Sequence, residues 1–154
     1  LPELAAGNLS FEHGLADRPG GWSWATWSTT GTGRFEWSTD ACDGQRSVAL
    51  IGESGTPNLV AELANLKLPK PGVYTVTLKY KTQGEARPHL SFIAQPPNAE
   101  QQYDRSGQLP LSETWREATW SFTAPAGVST GRFHVRNSGV GTVWYDAIAI
   151  IPPP

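Results

Sequence analysis

Two carboxylates near opposite ends of the chain are the first candidates for chemistry. Asp146 lies in Gly141–Ile150, where residue alternation predicts a strand with Trp144, Ile148 and Ile150 on the same face as the carboxylate. An ionised carboxylate among such residues costs several kcal/mol unless a hydrogen-bond donor or a cation compensates it. We therefore expect Asp146 to have a partner.

The partner that the sequence offers is Glu12, in the strand-like segment Asn8–Glu12. If the first and last strands pair, the two carboxylates meet, and with nearby backbone carbonyls they form an all-oxygen site of the kind that Ca²⁺ takes. The alternative is that each carboxylate is solvated at a strand end or bonded to an arginine. Spacing alone leaves both interpretations open.

The strands that must position these groups follow one another from residue 47 onward. Eight candidate strands, separated by turns and without helical connections, are typical of an antiparallel β-sandwich, here of jelly-roll type. Residues 58–68 have helix propensity, but the prolines that follow and the lack of other helices favour a strand. The predicted fold is all-β. One sheet would hold residues 58–68, 89–95, the Tyr103 region and 132–136, and the other residues 47–51, 73–81, 118–124 and 143–150.

The first of these sheets is predicted to carry an unusual set of polar side chains on its outer face. Alternation points the apolar residues of each strand inward and leaves the polar ones outside, whereas the second sheet has a blander outer face of Thr, Ser and Lys. The predicted polar set is Glu62, His89, Ser91, Gln95, Arg132, His134 and Arg136.

Composition supports one β-rich domain over residues 1–154. Sixteen glycines, thirteen prolines and 17% charged residues describe many short segments separated by turns. A net charge of −2 without a basic run gives no attraction to nucleic acid or anionic membrane. Cys42 is the one cysteine, so no intramolecular disulfide can form.

The chain ends have the composition of linkers. We expect linker remnants at about residues 1–6 and 151–154, the latter in a proline run, and a module that comes from a longer, secreted, multidomain protein.

Seven tryptophans are more than a core of this size needs, so some are expected at the surface. Trp22 and Trp24 share a face of an extended segment, and Trp27 falls on the other, so one of these sets can be core. We expect Trp120 and Trp144 to be core residues.

Five motifs in order resemble the β-sandwich carbohydrate-binding modules of the family 4, 9, 16 and 22 kind. They cover nearly the whole chain: Asn8–Glu12 followed by Trp22, Leu68–Val76, Trp115, Phe122–Pro125 and Gly141–Asp146. The resemblance implies a structural calcium ion held by Glu12 and Asp146, with backbone carbonyls near Ser10 and Arg46 as further ligands. It also implies a sugar chain in the groove of the concave sheet. Two arginines and two histidines would make this groove more cationic than a typical groove for neutral glucans.

Sugar rings need flat aromatic platforms beside polar groups that bond hydroxyls. We expect Trp22 and Trp24, with Trp115 or Tyr103 across the groove, to stack on the rings. The hydroxyl-bonding candidates are Glu62, His89, Gln95, Arg132, His134 and Arg136. The predicted function is a noncatalytic, monomeric module that binds a β-linked polysaccharide and brings a linked catalytic domain to it.

Two other functions remain open. A polysaccharide lyase would need a base and a carboxylate neutraliser, and Tyr103, His134, Arg132 and Gln95 are of the right types. A glycosidase would need a second carboxylate on the face of Glu62, and none is evident. The other alternative is a spacer or protein-contact domain of a multidomain hydrolase or lyase.

Overall fold

Two five-stranded antiparallel sheets face each other in this computed structural model, which describes residues 8–9, 11–15, 18–27 and 30–154. A separate two-stranded ladder pairs β1 with β2. The strands are Gly14–Leu15 (β1), Arg18–Pro19 (β2), Trp22–Thr26 (β3), Thr32–Ser38 (β4), Ser47–Ser54 (β5), Leu59–Lys67 (β6), Gly72–Glu85 (β7), Pro88–Ala94 (β8), Gln102–Arg105 (β9), Arg116–Ala124 (β10), Thr130–Asn137 (β11) and Val140–Ile151 (β12). Within the described ranges, no helix is long and apolar enough to cross a membrane.

The eight predicted strands divide between the sheets as expected. One sheet has the order β10-β7-β12-β5-β4 and the other the order β3-β6-β11-β8-β9. The segment with helix propensity is strand β6, because β3 and β11 pair with it on both sides. Strands β3 and β4, which precede residue 47 and were not among the eight predicted strands, each lie at an edge of a sheet. The prediction of an all-β antiparallel sandwich of jelly-roll type is confirmed.

The apolar core between the sheets holds the strands in register. Phe92 of β8 stacks on Phe122 of β10 with 4.0 Å between ring centroids, and Tyr74 of β7 stacks on the same ring at 5.3 Å. The buried Tyr145 hydroxyl donates a hydrogen bond to the carbonyl of Arg136 at 2.5 Å. The Phe92–Phe122 contact and the Tyr145–Arg136 hydrogen bond join the two sheets and fix which side chains of β11 point outward.

A buried amide fixes the turn between β11 and β12. The Asn137 side chain is fully buried, and its oxygen accepts hydrogen bonds from the backbone N–H groups of Arg87 at 3.0 Å and Gly139 at 2.9 Å. Its nitrogen donates to the carbonyls of Leu50 and Gly141, both at 3.0 Å. One side chain therefore satisfies four backbone groups from different parts of the chain.

A β-bulge in β12 overturns the predicted face of the last strand. The pairing of β12 with β7 shifts register between Asp146 and Ala149, and Ala147 has a φ of 51°. Ile148 and Ile150 point into the core as expected. Before the bulge, however, the odd-numbered residues point inward, as Val143 and Tyr145 do. Trp144 therefore lies on the outer face and not in the core, with the Lys81 ammonium 4.8 Å from its ring.

Candidate functional site

The outer face of the β3-β6-β11-β8-β9 sheet gathers most of the predicted polar residues. In the ladders, His134 lies opposite Glu62 on one side and Ser91 on the other, and Arg136 lies opposite His89. Because residues opposite each other in a ladder share a face, alternation placed these side chains correctly. We call this surface the polar face; it comprises Trp27, Glu62, His89, Ser91, Tyr103, Arg105, Arg132, His134 and Arg136.

A hydrogen-bonded row of three side chains runs across the middle of the polar face. His134 Nδ1 lies 2.8 Å from Ser91 Oγ, and His134 Nε2 lies 2.9 Å from Glu62 Oε2. Burial lowers the pKa of His134 to about 4 against the opposing effect of its hydrogen bond to Glu62, so the ring is neutral at pH 7. Since the carboxylate can only accept, Nε2 carries the proton and Ser91 donates to Nδ1.

This row changes the role predicted for His134. Its side chain is fully buried, and both ring nitrogens are already bonded. His134 therefore cannot donate to a bound hydroxyl directly, and instead holds the Glu62 carboxylate in place. Glu62 retains an exposed fraction of 17%, and Arg132, whose Nη1 is 3.5 Å from Glu62 Oε2, is 42% exposed.

Arg136 connects the two edges of the polar face. Its guanidinium lies 4.8 Å from the ring centroid of Trp27, just beyond β3, and Nη1 donates to the hydroxyl of Tyr103 on β9. Nη2 donates to Asn58 Oδ1 at 2.6 Å. The side chain is buried, and burial lowers its pKa. Arg136 thus orients an aromatic ring at each edge, and its prediction as a direct hydroxyl ligand is corrected to this positioning role.

The exposed parts of the polar face surround this buried centre. Tyr103 is 44% exposed, and the Arg105 guanidinium lies 5.7 Å from its ring centroid. His89 is half-buried, with Nδ1 3.2 Å from the carbonyl of Arg87. Burial, reinforced by the charge of Arg136, lowers the pKa of His89 to about 4, so this ring is also neutral at pH 7.

Two of the predicted sugar platforms point the wrong way. Trp22 pairs with Leu63 and Trp24 with Ala61, and both partners face the core. Trp22 is 4% exposed and lies 4.9 Å from the Phe11 ring, while Trp24 stacks on Phe35 at 5.0 Å. The prediction that these rings line the groove is wrong, because the register of β3 turns them inward.

Two other candidates lie away from the centre of the face. Trp115 belongs to the opposite side of the sandwich, where the Lys81 ammonium is 5.3 Å from its ring. The Gln95 amide donates to the carbonyls of Pro96 at 3.1 Å and Ala99 at 2.9 Å, and so fastens its own loop. The structure does not bring either residue together with the others.

Trp27 and Arg105 were not among the predicted site residues. The Trp27 ring packs edge-on against His134 at 4.8 Å, and its backbone N–H donates to the carbonyl of Asn58 at 3.0 Å. The sequence signal for Trp27 was its position on the face opposite Trp22 and Trp24. Arg105 stands two residues after Tyr103, so strand alternation alone would have placed it on the same face.

The two carboxylates of the proposed metal site both bind one loop. Asp146 Oδ2 accepts hydrogen bonds from the backbone N–H groups of Cys42 and Asp43, both at 2.9 Å. Glu12 accepts from the N–H groups of Gln45 at 2.6 Å and Arg46 at 2.9 Å. The buried carboxylate of Asp146 therefore has the partners it needed, and they are backbone donors.

Burial raises the pKa of Asp146 to about 6, opposed by three backbone hydrogen bonds, the third from Ala147 at 2.7 Å. Asp146 Oδ2 accepts two of the described hydrogen bonds, whereas Asp146 Oδ1 and each Glu12 oxygen accept one, so these three oxygens keep an acceptor site and the chemistry of two carboxylates beside a loop suits calcium. No cluster of three or more Asp, Glu, His or Cys side chains forms in the described part of the chain, so a cation there would also need main-chain oxygens. Ser10 lies outside the described residues, and the carbonyl of Arg46 stays a prediction.

Concave regions also lie elsewhere on the molecule. One, of about 430 Å³, is lined by residues that include Arg87 and Val140. Another, of about 380 Å³, is lined by residues that include Lys81 and Trp144 on the outer face of the second sheet. A third, of about 510 Å³, is lined by residues that include Trp22 beside the two-stranded ladder. These are competing locations for a ligand.

Three solved structures share this fold and differ in their tasks. The xylan-binding domain CBM22-1 of Paenibacillus barcinonensis Xyn10C is 15% identical with a TM-score of 0.67, over 94% of this chain and 93% of its own. The Stig cyclase Fisc from Fischerella sp. TAU is 14% identical with a TM-score of 0.63, over 99% and 98%. The enzymatically active domain of tailspike protein 4 from bacteriophage CBA120 is 13% identical with a TM-score of 0.71, over 96% of this chain but 21% of that chain.

No family profile matches the sequence, and no curated protein matches it. The predicted resemblance to β-sandwich carbohydrate-binding modules is confirmed for the fold. At such identities the likeness shows the fold and assigns no residue a role, and the polar face is the feature of this chain whose chemistry indicates a function.

Proposed function

We propose that the protein is a noncatalytic carbohydrate-binding module whose ligand lies on the polar face. The observation that carries the proposal is the row Trp27–Arg136–Tyr103, in which one buried guanidinium holds an aromatic ring at each edge of the same sheet. The likeness to a xylan-binding domain supports the same class of function. A β-linked polysaccharide chain crossing the strands would meet both rings.

The chemistry of the face suits a sugar. Aromatic rings offer flat apolar surfaces to the C–H faces of sugar rings, and planar polar groups bond the hydroxyls at the rim. Tyr103 is the exposed aromatic ring, and the exposed parts of Glu62 and Arg132 are the planar polar groups beside it. Because the Ser91–His134–Glu62 row fixes the carboxylate, little side-chain entropy is lost on binding.

The buried row supports a binding function over a hydrolytic one. Ser91, His134 and Glu62 have the residue types of a nucleophile, a base and an orienting acid, but Ser91 is fully buried. A substrate carbonyl cannot reach its hydroxyl without the face opening.

A polysaccharide lyase is the second candidate, because the hydroxyl of the partly exposed Tyr103, a residue type that can act as a base, accepts a hydrogen bond from the Arg136 guanidinium. It predicts that mixing with a uronate polymer produces an unsaturated sugar, measurable by ultraviolet absorbance. Absence of this product, together with reversible binding, would favour the module.

We also propose that the module is monomeric, is secreted and belongs to a longer protein that carries a catalytic domain. The β-linked polysaccharides of cell walls lie outside the cell, and tethering raises the local concentration of a linked enzyme at its substrate.

The experiment is affinity electrophoresis against a panel of neutral and acidic polysaccharides. Tyr103→Ala should abolish the retardation that the native protein shows with its ligand. Trp115→Ala is the matched control, because this half-buried aromatic residue lies on the other side of the sandwich. Retardation that survives Tyr103→Ala but is lost in Trp115→Ala would place the site on the other sheet and refute the proposal. No retardation by any polysaccharide would favour a spacer or protein-contact domain.

A further inference from the structure

The polar face carries an excess of positive charge at neutral pH. Arg105, Arg132 and Arg136 are guanidinium groups, and Glu62 is the carboxylate that faces them. Glu62 Oε2 is already shared between His134 at 2.9 Å and Arg132 at 3.5 Å. Among the described residues of this face, Glu62 pairs with Arg132 and leaves Arg105 and Arg136 without a carboxylate counter-ion.

The described residues that contact the buried Arg136 guanidinium are all neutral. Arg136 is 4% exposed and bonds a tyrosine hydroxyl and the Asn58 amide, and its Nε has no hydrogen-bond partner in the described part of the chain. No carboxylate among the described residues forms an ion pair with it. A buried cation of this kind is costly unless a negative charge compensates it.

Arg105 extends the same charge to the surface. It is exposed, its guanidinium lies 5.7 Å from the Tyr103 ring centroid, and it forms no ion pair with the described residues. Its charge opposes that of Arg136, because each arginine disfavours the other's protonated form. Two guanidinium groups that form no ion pair in the described part of the chain therefore flank Tyr103, one at the ring and one at the hydroxyl.

We infer that the sugar chain bound on the polar face carries a negatively charged group, a uronate carboxylate or a sulfate ester, which binds beside Tyr103. Arg105 contacts the anion directly, since its guanidinium is exposed and can donate two parallel hydrogen bonds. Arg136, buried beneath, attracts the same group through a medium of lower dielectric constant than water. The inference rests on the proposed function and adds the class of ligand.

A single-stranded nucleic acid is the competing anionic polymer, because aromatic and basic side chains also bind bases and phosphates. The net charge of −2 for the whole chain weighs against it, since nucleic-acid binding draws on a broad basic surface. The sugar is therefore the ligand for which we argue, and the nucleic acid becomes an outcome of the test.

The test compares charged polymers with neutral counterparts by affinity electrophoresis and calorimetry. The probes are two β-linked pairs, glucuronoxylan with unsubstituted xylan and cellulose sulfate with hydroxyethylcellulose, one α-linked pair, polygalacturonate with its methyl ester, and single-stranded DNA. The variants are Arg105→Gln and, as a control with the same change in charge, Arg116→Gln, an exposed arginine on the other sheet. Both substitutions are at exposed positions, so both proteins should fold.

We expect at least one acidic sugar polymer to bind about tenfold more tightly than its neutral counterpart, and Arg105→Gln to remove about that factor. Arg116→Gln should leave affinity unchanged. Raising NaCl from about 0.05 M to about 0.5 M should weaken binding to the acidic polymer. Preference for carboxylate or for sulfate polymers identifies the anion.

Three results would overturn the inference. If a neutral polymer binds as tightly as its acidic counterpart and Tyr103→Ala abolishes that binding, the proposed function stands, but the inference of an anionic group on the ligand is wrong. DNA that binds as tightly as any acidic sugar would change the class of ligand. If no polymer binds at all, the proposed function fails together with the inference.

Discussion

Replacing His134 by glutamine should make the free energy of unfolding depend less on pH below pH 7. In the folded protein burial lowers the pKa of His134 from 6.5 to about 4. Between these two pH values the unfolded chain binds a proton at this ring and the folded chain does not. The free energy of unfolding therefore falls as the pH falls through this window, and the contribution of the neutral ring is complete above pH 6.5.

The size of the effect follows from the shift. A difference of one pKa unit between folded and unfolded states corresponds to about 1.4 kcal/mol, so His134 accounts for a loss of about 3 kcal/mol between pH 7 and pH 4. His89, with a pKa also lowered to about 4, adds a loss of the same sign. Because His89 and the carboxylates that do not contact residue 134 are present in both proteins, their contributions cancel when the two curves are subtracted.

The assay is urea unfolding followed by tryptophan fluorescence at several pH values from 7 to 4. The glutamine variant should be less stable at pH 7, because the bonds to Ser91 and Glu62 are perturbed, but its stability should decline less on acidification. If the two curves stayed parallel, His134 would titrate as it does in water, and the buried row would not exist in solution. Should the variant fail to fold, NMR titration of the His134 ring in the native protein gives the same pKa directly.

Three further perturbations test other parts of the structure. Asn137→Ala should lower the free energy of unfolding in urea by about 3 kcal/mol or more, because four backbone groups lose their hydrogen-bond partner. The control Asn65→Ala, at an exposed position, should change it little. Equal losses in the two variants would contradict the hydrogen bonds of Asn137. Trp22→Ala should cost about 3–5 kcal/mol in urea unfolding and leave carbohydrate affinity of the folded protein unchanged, and a selective loss of affinity would return this ring to the binding site. If Glu12 and Asp146 hold calcium, calcium at about one hundred times its Kd should raise the free energy of unfolding of the native protein by about 3 kcal/mol. The stability of Glu12→Gln should not respond to calcium. If EGTA does not change the melting temperature of the calcium-treated native protein, the metal site is refuted.

The strands and the composition of the polar face could be predicted because both depend on a local period. Successive side chains of a strand alternate between faces, so Glu62, Ser91, His134 and Arg136 could be assigned to the outside of their strands without knowledge of their neighbours. The turn residues between the segments predicted approximately where each strand ends.

The same alternation could not predict which tryptophans of the first segment face the core. Trp22, Trp24 and Trp27 form two sets of opposite parity, and alternation does not say which set faces the core. That choice depends on the register of β3 against β6, where Trp22 meets the buried Leu63. The bulge after Asp146 is a similar case, since the residue with positive φ is Ala147, and no glycine marks the position.

Outward direction and exposure also proved to be different properties. His134 and Arg136 point away from the core as predicted, yet both are buried, because the Trp27 ring lies 4.8 Å from each. A chain-distant partner covers them, and strand periodicity contains no information about it. The predicted hydroxyl ligands thus became residues that position others.

The most direct test of the polar face as the binding surface is an NMR titration of the ¹⁵N-labelled protein with the best polysaccharide fragment. The indole N–H signals distinguish the tryptophans from one another. If the ligand binds on the polar face, the Trp27 indole and the amides of β9 and β11 shift, while the Trp115 and Trp144 indoles do not. Shifts confined to Trp115, Trp144 and the amides near Lys81, or to those near Leu111 and Val140, would contradict binding on the polar face.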